Sequence, residues 1–126
     1  MSESTTILSG LVGRELAAVT FVRDYVQFSF DGPVLTAVVD PVLHIKDQQY
    51  RRGDREYCNL LIRFINKAVT RASAENGKEM VLGFGNDSYI TISLRDEDLK
   101  FGPEAVVFDT HHGPWDTWPD GRPPKE

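Results

Sequence analysis

The sequence predicts an α+β fold. A helix-plus-three-strand meander occurs twice and forms one antiparallel sheet or an open barrel with a pseudo-two-fold axis, with one main helix over about 55–66. Two observations carry this expectation. The first is an internal echo. LVGRELAAVTFVRDYVQFSFDGPVLTAVV, from Leu11, and LIRFINKAVTRASAENGKEMVLGFGNDSYITISL, from Leu61, both open on Leu-aliphatic and reach Ala-Val-Thr, at Ala18–Thr20 and Ala68–Thr70. Each then turns, runs through an alternating strand ending in Phe, turns again and finishes on an aliphatic strand containing Thr. The second is the change of period along the chain, from two in the strands to helical spacing in the middle.

In the first copy Val26, Phe28 and Phe30 alternate with Tyr25, Gln27, Ser29 and Asp31, the period of a half-buried strand. Asp31-Gly32-Pro33 is a turn, and VLTAVVD is the next strand. In the second copy Asn76-Gly77 is a strong hairpin signal. Met80, Leu82 and Phe84 then share one face; Gly85 to Asp87 turns the chain, and Ile90, Ile92 and Leu94 point inward. Ahead of these strands Tyr57, Leu61, Phe64, Ile65 and Ala68 form an apolar helical stripe, with Asp54 as N-cap. The first copy has only a single turn or loop here, because Gly10 and Gly13 interrupt it.

A length of 126 residues suits a single domain over 1–126, with repeat one over about 7–40 and repeat two over about 55–94. HIKDQQYRRGD, His44 to Asp54, is polar and aperiodic, and is expected to link the copies. The C-terminal extension, about 95–126, is expected to hold a helical turn and a last short strand, then a tail without regular structure.

Leu-x-Gly-x-x-Leu-x-x-Val-x-Phe, from Leu11 to Phe21, followed by YVQFSFDGPVLT and by Gly-Pro-Glu-Ala at Gly102–Ala105, resembles a family of small bacterial proteins with tandem helix/three-strand repeats, to which no activity is attached. The resemblance implies a bacterial, cytoplasmic α+β protein and transfers no catalytic residue. Where the family pattern has Ile-Gly-Lys in the second helix, this chain has Phe64-Ile65-Asn66-Lys67.

Charge and motifs narrow the function classes. The net charge is −5, yet Lys46 to Lys78 carries eight basic and four acidic residues. The acidic balance of the whole argues against nucleic acid as partner, while the basic segment leaves room for a local anion site. No apolar run reaches the ~20 residues of a membrane span. With no secretory signal and one cysteine, the expected location is cytoplasmic. GFGND lacks the third glycine and the lysine of phosphate loops and reads as a turn. Cys58 reads as a small buried hydrophobe.

Two groups remain as candidate sites. Arg51, Arg52 and Arg55, with Arg63, Lys67 and Arg71 spaced by four, form either an anion or acidic-partner site or a solvated helix face. A third reading pairs them with Asp96, Glu97, Asp98 and Asp109 of the same or another chain, giving a salt-sensitive homodimer. In the tail, Trp115 and Trp118 are braced by prolines and suit a docking element, seated on this protein's own sheet, a dimer mate or an external protein. His111, His112 and Asp109 are the weak candidates for a metal, and no cofactor is expected.

The sequence therefore points to a non-enzymatic cytoplasmic protein-binding module, adaptor or immunity-like, with a protein partner or self-association and no membrane. The alternative is a small-molecule or metal-dependent enzyme using the C-terminal His/Asp cluster.

Overall fold

A computed structural model describes residues 8–85, 87–99, 105–109 and 115–118. Over the described residues the protein is mostly β, with a short helix in the middle of the chain. In order the elements are β1 (Ala18–Val22), β2 (Tyr25–Ser29), β3 (Val34–Ala37), β4 (Val42–Ile45), β5 (Gln48–Tyr50), α1 (Tyr57–Ile62), β6 (Arg71–Glu75), β7 (Glu79–Gly83), β8 (Ser88–Ser93), a 3₁₀ turn (Asp96–Asp98), β9 (Val106–Asp109) and β10 (Trp115–Trp118).

These strands form two five-stranded antiparallel sheets, β1-β2-β3-β9-β10 and β5-β4-β8-β7-β6, and not the expected single sheet or barrel. The reason lies in the alternation itself. The inner strands β2, β3, β4, β7, β8 and β9 carry apolar residues toward the core, and two sheets bury two such faces against each other where one sheet leaves its own uncovered. Phe28, Leu35 and Phe108 of the first sheet join Leu43, Met80, Leu82 and Ile90 of the second in one buried cluster.

Each sheet is a three-strand meander extended by a hairpin from elsewhere in the chain. β4–β5 adds to β8, and β9–β10 adds to β3. Two expectations fail here. The linker at 44–54 is largely the β4–β5 hairpin and the turn after it, closed at Lys46, which takes φ 56°. Strands of three and four residues are too short to show a period, and lysine does not signal a left-handed turn. The tail also contributes a strand: Trp115 pairs with Asp109 and Trp118 with Val106 along the edge of the first sheet.

The helix is shorter than 55–66. Tyr57 and Leu61, four residues apart, are its buried pair, and Phe64 is buried beyond its end. From Arg63 to Ile65 the chain tightens into bonds to the third residue back, and Asn66 at φ 79° ends the run. Asp54 does not cap α1. Its carboxylate accepts from Arg51 N at 2.7 Å and closes the preceding turn. No helix among the described residues is long and apolar enough to cross a membrane.

The segments entering the two meanders bond to each other reciprocally. Leu16 N donates to Lys67 O while Val69 N donates to Arg14 O; Gly13 N donates to Val69 O while Asn66 N donates to Leu16 O. Corresponding positions of the two segments, Gly13 and Asn66, Arg14 and Lys67, Leu16 and Val69, stand 53 residues apart. The two Ala-Val-Thr triplets stand 50 apart and are not equivalent: Ala18–Thr20 lie in β1, whereas Ala68–Thr70 precede β6.

Candidate binding face

Period two sets the outer face of the second sheet. Since Ile90 and Ile92 enter the core, Tyr89 and Ser93 face outward with Thr91 between them. The ladders carry one row of this face across all five strands: Gln49 pairs with His44, His44 with Tyr89, Tyr89 with Gly83, and Gly83 with Arg71.

Side chains along this row stack. The His44 and Tyr89 rings lie 4.3 Å apart at 5°, and the Arg71 guanidinium sits 5.5 Å from the centre of the same tyrosine. Gly83 makes this approach possible, because a Cβ there would lie 2.7 Å from Arg71 Cγ. His44 Nε2 and Thr91 Oγ1 share a hydrogen bond at 3.0 Å. Partial burial holds the His44 imidazole below its ordinary pKa; Glu79 opposes this shift and Arg51 adds to it.

A groove of about 730 Å³ runs beside the row. Thr91, Ser93 and Val42 line its middle, with Gln49 and Arg51 from the β5 side and Glu75, Lys78 and Glu79 from the β6–β7 hairpin. At one end Asp98 accepts from Ser93 Oγ at 2.5 Å and pairs with Arg95 at 3.2 Å. The Ser93 hydroxyl, then Arg95, hold the Asp98 carboxyl below the usual carboxylate range.

The expected basic site is dispersed. Arg51 lines the groove, whereas Arg52, Arg55 and Arg63 do not. Arg52 is half-buried and structural: Nη2 donates to Val22 O at 2.7 Å, and Nη1 lies 3.5 Å from Asp40. Arg55 and Arg63 are exposed beside α1. Lys67 lies over the Phe64 ring, and Arg71 belongs to β6, so the spacing of four does not trace one helix face. Cys58 is exposed, not buried. Asp109 ends β9 in the first sheet, while His111 and His112 lie outside the described residues. Among the described residues, no three His, Cys, Asp or Glu side chains gather to hold a metal ion.

Sequence reasoning missed His44, Tyr89 and Glu79, and it set Arg71 on a helix face where the structure has it opening β6. Tyr89 was within reach, because inward Ile90 and Ile92 imply an outward Tyr89. His44 was hidden by the linker reading. Buried Tyr57 donates to Pro41 O at 2.7 Å, and burial pushes its phenol far above its ordinary pKa; it buttresses the fold behind the groove.

The geometry is that of a two-sheet protein with an open, mixed-charge groove flanked by stacked rings. No family model, curated protein or solved structure matches the chain.

Proposed function

We propose that this chain is a non-enzymatic protein-binding module, adaptor or immunity-like, and that its working surface is the outer face of the second sheet. The observation that carries the reading is the Arg71–Tyr89–His44 stack on an open sheet face. Aromatic and arginine side chains on accessible surfaces are the favoured anchors of protein interfaces. The free Cys58 thiol suits the cytoplasm of a reducing cell.

We further read the two halves as copies of one unit, on the support of the reciprocal hydrogen bonds. This gives the face an internal control. Buried positions correspond: Leu8 with Leu61, Leu11 with Phe64, Leu16 with Val69, Phe30 with Phe84. The stacked row does not. Following the ladders of the first sheet, its counterparts are Trp115, Asp109, Val34, Ser29 and Ala18. A scaffold that needed the stack would repeat it, so the stack serves something other than folding.

The test is capture. Immobilised wild type, a His44→Ala/Tyr89→Ala variant and a Trp115→Ala/Trp118→Ala variant are exposed to lysate of the source organism, after thermal melts show that each folds. A partner identified by mass spectrometry should be held by wild type and lost by the His44/Tyr89 variant. Equal retention by that variant sinks the assignment to this face. Loss by the tryptophan variant alone moves recognition to the first sheet's edge.

A further inference from the structure

Most charges along the groove are matched by neighbours. Asp40 lies 3.5 Å from Arg52, Lys78 3.5 Å from Glu75, and Asp98 3.2 Å from Arg95. Arg51 and Glu79 are the exceptions. Among the described residues, neither has an ion-pair partner within 4.0 Å, and both line the groove. They stand on opposite walls: Arg51 directly follows β5 and Glu79 opens β7, with β4 and β8 between them. Three inter-strand gaps and a short offset along the strands separate their backbones by roughly 15 Å.

Glu79 is poorly explained by the fold. It sits directly opposite Glu75 in the β6–β7 ladder, and like charges in that position destabilise a sheet. Lys78 relieves Glu75 but not Glu79. The charges of both Arg51 and Glu79 reach His44.

An unmatched cation facing an unmatched anion selects against simple ligands. Glu79 repels a polyanion, and Arg51 repels a metal ion or polycation. Between the two charges the groove is lined by Thr91 and Ser93, whose hydroxyls are engaged with His44 and Asp98, and by an apolar Val42, a surface that an extended backbone with alternating side chains can follow. Resting on the reading of this face as a binding surface, we propose that the groove takes an extended peptide segment of a partner protein bearing one acidic and one basic side chain, the acidic one paired with Arg51 and the basic one with Glu79.

The full chain, labelled with ¹⁵N, is titrated with three capped Gly/Ser peptides of equal length. One contains Asp-Gly-Lys, one the Asp alone and one the Lys alone. The doubly charged peptide should move the amides of His44, Thr91 and Ser93 and bind roughly tenfold tighter than either of the others, about 1.4 kcal/mol. Arg51→Glu should abolish the preference, and Arg51→Glu/Glu79→Arg should restore it with the peptide reversed. Equal groove shifts with all three peptides would overturn the opposed-charge proposal and leave the binding face standing. Shifts elsewhere, or none up to about 5 mM peptide, a range that detects even millimolar binding, would also overturn it; the binding face is then judged by its own capture experiment. Failure of the double reversal would show that the two charges do not act as a pair.

Discussion

The His44 imidazole lies flat against the Tyr89 ring, 4.3 Å between centroids, in directly paired positions of β4 and β8. Burial beneath this stack favours the neutral imidazole. With the folded pKa below the ordinary 6.5, the unfolded chain binds the proton first as pH falls. The stabilisation is therefore complete above about pH 6.5 and is lost below it, as pH drops through the folded value. NMR titration of the His44 ring should give a midpoint below 6.5, and His44→Gln should reduce the fall in melting temperature between neutral and mildly acidic pH. A midpoint at or above 6.5 would contradict the burial argument.

Gly83→Ala separates the face from the fold. The new Cβ has no forbidden φ to contend with, but it meets Arg71 Cγ and Nε. Arg71 is exposed and flexible, so it should swing off the tyrosine at a stability change below about 1 kcal/mol. The Tyr89 ring resonances should shift clearly while the melting temperature barely moves. A large drop in stability would mean that Arg71 cannot yield.

Arg51 and Arg52 are adjacent in sequence and opposite in role. Arg52→Ala should cost about 1–2 kcal/mol, since it strips a charged donor from Val22 O and leaves Asp40 without its guanidinium. Arg51→Ala should fall within about 0.5 kcal/mol of wild type, as surface substitutions do. Urea unfolding of the two variants measures the contrast, and equal losses would refute it.

Phe64 and Phe84 meet edge to face at 5.0 Å, joining the chain beyond α1 to the second sheet. Both are buried. Phe84→Ala should destabilise by about 3–5 kcal/mol, the range for a truncated core aromatic. A loss below about 1 kcal/mol would show that this part of the core collapses to fill the gap.

The meander strands were legible in the sequence because their apolar residues alternate over five or more positions, as in Val26-Gln27-Phe28 and Met80-Val81-Leu82. Turns at Asp31-Gly32 and Asn76-Gly77 were legible because those residues tolerate φ above zero, which Asp31, Gly32 and Gly77 adopt. The β4–β5 hairpin was not legible, since Lys46 turns the chain without glycine or asparagine. Nor was the division into two sheets, which depends on β9 pairing with β3, some seventy positions away along the chain. The stacked face was half legible. Its tyrosine follows from the alternation of β8, but its histidine and arginine come from strands that only long-range pairing brings alongside.

The exchange of hairpins between the sheets bears on how the chain is made. β4 and β5 leave the ribosome well before β8, the strand they must join, and β3 waits for β9, some seventy residues later. Neither sheet can close on a nascent chain that has emerged only through residue 85. Until then β3 and β4 present open edges, and the interval before β8 and β9 emerge is when this protein most needs protection from self-association.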